Sequence, residues 1–292
     1  MAPYRMIAID LDGTLLSPDG TVSARNKAAI HRALKAGLLI CFATGRNWTE
    51  SQTVLDAVAH YDTAVFVGGA MVVDTKNRKT LHRTAMQPEL AREVCKVLEG
   101  LGQAALALQD TVRVGVDYLA TAGVELNEAT RNWMEVTTAT VRLVPRLAEY
   151  AHPHTIRVGI VAAKDEVKKV RQVLKEHFGD RILCQVLYVP AYAVEVLEVF
   201  DPAVNKWEGV LHVARSHDIR PEQIIAIGDD VNDLPMIAKA GLGVAMGNGK
   251  PEVLAAAKRV IGTNQEDGLA KFLDELVARR EVEPAAADGK HY

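Results

Sequence analysis

The sequence predicts an α/β fold with a parallel sheet, into which an α+β segment is inserted. Short apolar runs alternate with helical patterns from the start of the chain, as in βαβ units with right-handed crossovers. Three of these runs end directly in clusters of polar residues. After about Thr84 the rhythm changes, and two strands follow each other closely, which is typical of antiparallel pairing. A chain of 292 residues has the length for both parts.

The first predicted strand, residues 5–9, ends in two carboxylates two positions apart, Asp10 and Asp12. Side chains two apart on an extended backbone face the same side. Two close carboxylates repel each other unless a cation or a shared proton compensates them. Gly13 then permits a sharp turn, and Thr14 adds a hydroxyl group. The pattern indicates a functional site at the end of this strand.

The following elements continue the alternation. Ser23 is a suitable cap for a helix that Gly37 ends. A second strand, residues 38–43, ends at Thr44, Gly45 and Arg46, and another helix follows. Two strands then flank the sequence Gly68-Gly69-Ala70, at residues 64–67 and 71–73.

The insert has its own order of elements, and its last strands lead back to the core. We divide the chain into a core of residues 1–83 and 191–280, an insert of residues 84–190 and a disordered tail of residues 281–292. The elements predicted after Thr84 are helices at 88–101, 124–134, 165–178 and 204–216, and strands at 104–109, 112–116, 156–162, 182–189, 193–199 and 223–227.

The strand at residues 223–227 ends in a second acidic cluster, which contains Asp229, Asp230, Asn232 and Asp233. Lys206 precedes it at the start of a helix. In open α/β sheets ligands bind outside the carboxyl ends of the strands, so we expect these polar clusters to converge.

Together the motifs Asp-x-Asp-x-Thr, a strand-end Thr, a Lys and Gly-Asp-x-x-x-Asp resemble the haloacid dehalogenase (HAD) superfamily, in particular its Cof-type branch (subclass IIB). The resemblance spans residues from about 5 to about 276. It implies a Rossmannoid parallel-sheet core with an inserted α+β cap of type C2B. It also implies a Mg²⁺-dependent phosphatase that works through an aspartyl-phosphate, with the cap selecting a small phosphorylated substrate.

The resemblance also implies a role for each motif residue. Asp10 is the nucleophile, and Asp12 is the general acid and base. Oxygen ligands suit Mg²⁺, and the implied ligands are Asp10, the backbone carbonyl of Asp12, and Asp229. Asp233 supports the lysine or a metal-bound water. The residues implied for phosphate or substrate binding are Thr44, Gly45, Arg46, Lys206 and Asn232, although Arg46 is about equally well explained as a surface arginine at a helix start.

Composition is consistent with such an enzyme. The net charge of −3 gives no sign of a surface for nucleic acid or anionic membranes. Three cysteines do not form a disulfide framework, which favours a reducing compartment, and no apolar stretch reaches the roughly 20 residues of a membrane helix. A signal peptide is not expected, because the first strand begins by about residue 5. We therefore expect a cytoplasmic protein.

Alternative functions and two departures from the family pattern remain open. A hexose-phosphate phosphomutase would use the same motifs, a dehalogenase would not need an acid at Asp12, and a catalytically idle binding protein is disfavoured because every motif residue is present. Relatives usually have Asn-Gly-Ala where this chain has Gly68-Gly69-Ala70, and Gly where this chain has Trp207. The sequence favours a packing role for Trp207.

Overall fold

The computed structural model describes residues 4–189 and 194–279, which fall into two compact units. The first unit contains the chain up to Asn47, Ser51–His82 and the chain from Asn205, and the second contains Trp48–Glu50 and Arg83–Val204. The predicted return to the core at residue 191 comes earlier than Asn205, because the strand Val194–Phe200 pairs with strands of the second unit. The predicted tail, residues 281–292, lies outside the described residues.

Fourteen strands and ten helices lie within the described residues. The strands are β1 (Met6–Ile9), β2 (Leu39–Phe42), β3 (Thr63–Phe66), β4 (Met71–Asp74), β5 (Lys79–Arg83), β6 (Leu106–Gln109), β7 (Tyr118–Thr121), β8 (Val141–Val144), β9 (Thr155–Ala162), β10 (Leu183–Val189), β11 (Val194–Phe200), β12 (Ile224–Gly228), β13 (Leu242–Ala245) and β14 (Arg259–Val260). The helices are α1 (Ala24–Lys35), α2 (Trp48–Val58), α3 (Pro88–Gly100), α4 (Thr111–Val114), α5 (Glu128–Val136), α6 (Lys164–Phe178), α7 (Lys206–Ser216), α8 (Leu234–Lys239), α9 (Pro251–Ala256) and α10 (Gly268–Ala278).

The first unit is built on a parallel sheet, as the sequence predicted. The sheet has five strands in the order β14-β13-β12-β1-β2. Strands β1 and β12 are buried along their whole length, which explains why both are continuous apolar runs. Ile9 is paired with both Ile227 and Phe42. This register brings the carboxyl ends of β1, β2 and β12 to one edge of the sheet. Strands β3, β4 and β5 form a separate small sheet.

The second unit contains a six-stranded sheet in the order β10-β11-β9-β6-β7-β8. Residues from α3 and α6 share one apolar core with the sheet, including Val94, Leu174, Val158 and Leu197. A strand predicted at residues 112–116 is wrong. Thr111–Val114 is a short helix, and the strand follows at Tyr118–Thr121.

The cause of this error is a buried acceptor, Asp117, one of whose partners is distant in sequence. Gly115 ends the helix with a φ of 69°, and the buried Asp117 accepts hydrogen bonds from the hydroxyls of Thr111 and Thr140. These bonds hold the chain in a turn where the alternating valines favoured a strand. The sequence pattern did not predict strand β8, which directly follows Thr140.

Two expectations from composition can be compared with the structure. Cys41, Cys95 and Cys184 are all free thiols. Burial raises the pKa of the Cys41 and Cys95 thiols far above the ordinary value, so neither is a ready nucleophile. Within residues 4–189 and 194–279, no helix combines the length and the apolar character needed to cross a bilayer.

Candidate active site

A buried lysine lies between two buried carboxylates at the carboxyl edge of the parallel sheet. Lys206 Nζ donates to Asp10 Oδ1 and to Asp233 Oδ1, both at 2.6 Å. Asp10 directly follows β1, Asp233 lies in the turn after β12, and Lys206 is the first residue of α7. All three side chains are almost fully buried. Three of the residues predicted from separate motifs therefore form one hydrogen-bonded group.

The charges in this group are only partly balanced. Burial raises the pKa of Asp10 well above its ordinary value, and the neighbouring Asp233 raises it further, although Lys206 opposes both effects. Burial alone would lower the pKa of Lys206, but the charges of Asp10 and Asp233 outweigh it and raise the pKa of this ammonium group. Lys206 therefore stays protonated, while Asp10 is in surroundings that need additional positive charge to keep it ionised.

Asp229 adds a third carboxylate to the cluster. Its Oδ1 accepts a hydrogen bond from Thr14 Oγ1 at 3.0 Å. Burial and then the charge of Asp233 raise the pKa of Asp229 to about 7. One carboxylate oxygen from each of Asp10, Asp229 and Asp233 lies within 4.8 Å of the others. Clustered, partly buried oxygen donors with excess negative charge fit a hard divalent cation such as Mg²⁺.

Within this cluster, Asp233 is the residue least suited to bind a cation. Its Oδ1 accepts from Lys206, and its Oδ2 accepts from the backbone N–H groups of Asp229 and Asp230 at 3.0 and 3.1 Å. Both oxygens are thus occupied in holding the lysine and the turn after β12. Asp10 and Asp229 are the better donors on this ground, and the predicted ligand set stays a prediction.

The turn after Asp10 brings the backbone close to Asp229. Gly13 has a φ of 78°, and a Cβ atom at this position would lie 2.2 Å from Asp229 Oδ2. Asn248 Nδ2 donates to the carbonyl oxygen of Gly13 at 2.8 Å, while its Oδ1 accepts from the backbone N–H of Asn264. Sequence reasoning missed Asn248. The available signal was a polar sequence after a further apolar strand, β13.

Asp12 lies apart from the carboxylate cluster and pairs with Arg46. Arg46 Nε donates to Asp12 Oδ2 at 2.9 Å, and Nη2 donates to Asp12 Oδ1 at 2.6 Å. The sequence left open whether Arg46 binds phosphate or substrate or is a surface arginine at a helix start, and here its side chain binds the predicted acid–base residue. The side chain of Asp12 is not among the clustered carboxylates Asp10, Asp229 and Asp233, and its predicted metal ligand was the backbone carbonyl.

The remaining predicted phosphate-binding residues lie beside this edge. Thr44 is buried, and its Oγ1 accepts from the backbone N–H of Arg46 at 3.0 Å. A Cβ atom on Gly45 would be 3.8 Å from Asn232 Nδ2, so the Asn232 amide faces the backbone after β2. Asn232 Oδ1 is buried and has no hydrogen-bond partner. Polar groups from two strand ends therefore lie together.

The structure accommodates both departures from the family pattern. Gly69 has a φ of 104°, and a Cβ atom there would lie 2.0 Å from the carbonyl oxygen of Asn205. Gly68 has a φ of 63°, a conformation that Asn also tolerates. Trp207 is buried and packs in the core with Val65, which confirms its packing role. This close packing sets the backbone that carries Lys206.

The chain is similar to known proteins over most of its length. Residues 7–273 match the family described as haloacid dehalogenase-like hydrolase. The chain is 29% identical to the 5-amino-6-(5-phospho-D-ribitylamino)uracil phosphatase YitU of Bacillus subtilis, covering 94% of this chain and 97% of that protein. It is 27% identical to the pyridoxal phosphate phosphatase YbhA of Escherichia coli, covering 92% and 97%.

The fold is also that of a solved structure. A haloacid dehalogenase-like hydrolase from Bacteroides thetaiotaomicron superimposes with a TM-score of 0.78 at 22% identity, covering 94% of this chain and 99% of that one. The predicted fold and family are thereby confirmed. With the motifs, the parallel sheet and the match over most of its length, the chain belongs to the haloacid dehalogenase-like hydrolases and is an enzyme of the phosphatase type.

Proposed function

We propose that the chain is a Mg²⁺-dependent phosphatase that hydrolyses small phosphate monoesters through an aspartyl-phosphate on Asp10. The observation that supports it most is the buried group in which Lys206 bonds to both Asp10 and Asp233 at 2.6 Å, beside Asp229. A solvated turn would not bury three charges. Phosphoryl transfer needs this arrangement, because a carboxylate must attack an already anionic phosphate.

In the proposed reaction, a carboxylate oxygen of Asp10 attacks phosphorus, and the bond to the leaving alkoxide breaks. Asp12 donates a proton to the leaving oxygen and then accepts one from the water that attacks the aspartyl-phosphate. This second step releases inorganic phosphate and restores Asp10. Lys206 neutralises the crowded carboxylates, and Thr44 and Asn232 donate hydrogen bonds to the phosphoryl oxygens.

Asp10, Asp229 and the backbone carbonyl of Asp12 would hold the Mg²⁺ ion. When bound, the ion supplies the positive charge that the carboxylate cluster requires and draws charge from the phosphoryl group. Asp233 orients Lys206 and the turn after β12, and so supports the site without binding the ion itself.

We propose small phosphorylated metabolites as substrates. The two named relatives act on a phosphorylated ribityl compound and on pyridoxal phosphate, which are both small phosphate monoesters. We also propose that the enzyme acts in the cytoplasm, where its free thiols would stay reduced.

The test is phosphate release from a panel of phosphorylated sugars, nucleotides and vitamin cofactors, with Mg²⁺ and with excess chelator. We expect release with Mg²⁺ alone, and a loss of nearly all turnover in Asp10→Asn, which preserves shape but removes the nucleophile. Asp12→Asn should be severely slow. Isomerised sugar phosphate in place of free phosphate would indicate a mutase, and full activity in chelator would contradict the proposal.

A further inference from the structure

We propose that Arg46 is a positioning residue for Asp12, which holds this carboxylate in the orientation from which it exchanges protons with the leaving group and with water. The inference rests on the proposed function, since it assumes that Asp12 is the general acid and base. It assigns Arg46 a role that differs from phosphate binding.

The geometry of the Arg46–Asp12 pair suits a positioning role. The Nε and Nη2 atoms of Arg46 reach separate oxygens of Asp12, at 2.9 and 2.6 Å. Such a two-point bond fixes both the position and the plane of a carboxylate, which a single bond does not do. The Asp12 side chain is 57% exposed, so without this partner it would be free to rotate in water.

Asp12 is also separate from the buried cluster of Asp10, Asp229 and Asp233. Lys206 and Thr14 bond to the other carboxylates, Asp10, Asp233 and Asp229, and the clustered cation-binding atoms do not include Asp12. The orientation of Asp12 therefore depends on a group outside the cluster. Arg46 is itself tied to the end of β2, because its backbone N–H donates to Thr44 Oγ1 at 3.0 Å.

A phosphate bound by Arg46 would need an edge of its guanidinium group. A bidentate contact to phosphate uses two parallel N–H groups. The Nε–Nη2 edge of Arg46 is already engaged by Asp12. A substrate phosphate at this edge would displace the acid from its partner, so the two roles compete for the Nε–Nη2 edge. The observed pairing favours positioning.

The experiment compares Arg46→Gln with the unaltered enzyme on two substrates, an alkyl phosphate and p-nitrophenyl phosphate. Only the alkyl leaving group needs a proton, and kcat/KM reports steps up to formation of the phosphoenzyme. We expect kcat/KM to fall roughly 10²-fold for the alkyl phosphate, as for a misplaced catalytic group, and only a few-fold for the aryl phosphate. Phosphoenzyme should accumulate with the aryl substrate, because water activation is also slowed. For the alkyl phosphate, the kcat/KM of Arg46→Lys should lie between that of the unaltered enzyme and that of Arg46→Gln.

Matched variants control for indirect effects. Arg32 forms the same kind of two-point pair with Asp274, at 2.8 and 3.0 Å, so Arg32→Gln should leave both substrates unaffected. In an Asp12→Asn background, Arg46→Gln should add little further loss, since the residue it positions is gone. Inhibition by inorganic phosphate should stay within about twofold of the unaltered enzyme, because phosphate binding is not disturbed.

Equal losses on both substrates with weaker phosphate inhibition would overturn the inference and make Arg46 a phosphate ligand. Equal losses that follow a drop in melting temperature, or no loss at all, would overturn it as well. Loss of activity in Asp10→Asn with an unchanged leaving-group dependence in Arg46→Gln contradicts the positioning role alone. Full activity in Asp10→Asn contradicts the proposed function and this inference with it.

Discussion

At the level of single residues, burial creates the need for charge compensation in this site. Asp10, Asp233 and Lys206 are almost completely removed from solvent, so water does little to compensate their charges. An ammonium group between two carboxylates leaves an excess of negative charge. A cation near Asp10 and Asp229 would remove this excess, which links metal binding to the buried pair.

The first prediction concerns Lys206→Met, which removes the charge while preserving much of the volume. Asp10 and Asp233 would then be buried without a compensating positive charge, and we expect the free energy of unfolding to fall by about 3–5 kcal/mol. Phosphatase activity should be lost. Denaturant unfolding measures the first effect. The control is Lys250→Met, which breaks an exposed pair with Asp230 and should cost about 1 kcal/mol or less.

The second prediction concerns Gly13→Ala. A methyl group at Gly13 would meet Asp229 Oδ2, in addition to the cost of a positive φ, so we expect the variant to lose activity and affinity for Mg²⁺. Gly20→Ala is a matched control, because Gly20 has the same φ of 78° and nothing within 4 Å. That control should lose about 1–2 kcal/mol of stability through backbone strain, with normal kcat. Similar kinetics in both variants would show that the contact with Asp229 does not matter.

At the level of elements, helix α7 connects the packing of the core with the position of the lysine. Asn205 caps this helix, since its side-chain oxygen accepts from the backbone N–H of Glu208 at 3.1 Å. Lys206 follows as the first helical residue, and Gly69 allows the backbone at Asn205 to approach closely. The start of the helix therefore determines where the ammonium group lies.

The third prediction concerns this cap. Asn205→Ala should reduce the free energy of unfolding by about 1 kcal/mol, as for other N-caps, and should also lower kcat because Lys206 is displaced. Asn205→Asp should retain both properties. Asn127→Ala is the comparison, because Asn127 caps α5 by accepting from Thr130 N–H in the second unit. It should lower stability without a matching fall in kcat, and an equal fall would argue against a special role of α7.

At the level of the whole molecule, the raised carboxylate pKa values connect stability with pH. Asp229, with a pKa of about 7, and Asp10 both bind a proton more readily in the folded protein than in the unfolded chain. The contribution of Asp229 to stability is present at low pH and is lost as pH rises from about 4 through about 7, and the contribution of Asp10 is likewise lost as pH rises. The pH dependence that His152 contributes has the opposite sign. Burial lowers its pKa, so as pH falls the unfolded chain binds the proton at a higher pH than the folded protein does.

The fourth prediction follows for the metal-free protein. The difference in unfolding free energy between the unaltered protein and Asp229→Asn should shift with pH between about 4 and 7, in the direction that makes the unaltered protein relatively less stable at higher pH. Adding Mg²⁺ at pH 7 should stabilise the unaltered protein, and the gain should be much smaller in Asp229→Asn. Melting curves over a pH series measure both effects. A pH-independent difference would show that Asp229 is not buried against like charge.

Several features of the molecule follow from local pattern and therefore could be predicted. Apolar runs that end in Asp10, Thr44 and Asp229 identify buried parallel strands, and the carboxyl ends of such strands meet at one edge. The boundary of the cap and the structure of the segment 112–116 were harder to predict from the sequence. Strand β11 and Asp117 find their partners at distances in sequence that periodicity does not register.

The sequence by itself determined the fold class, the family and the set of polar residues at the strand ends, because strand periodicity and motif spacing are local properties. Only the tertiary structure decided how these residues pair. Arg46 reaches Asp12 across 34 positions, and Asn248 reaches Gly13 across 235. Such contacts depend on how the sheet brings distant turns together and on which donors remain for each buried acceptor. The motifs thus contain the chemical groups of the site, and packing determines which hydrogen-bond partner each group has.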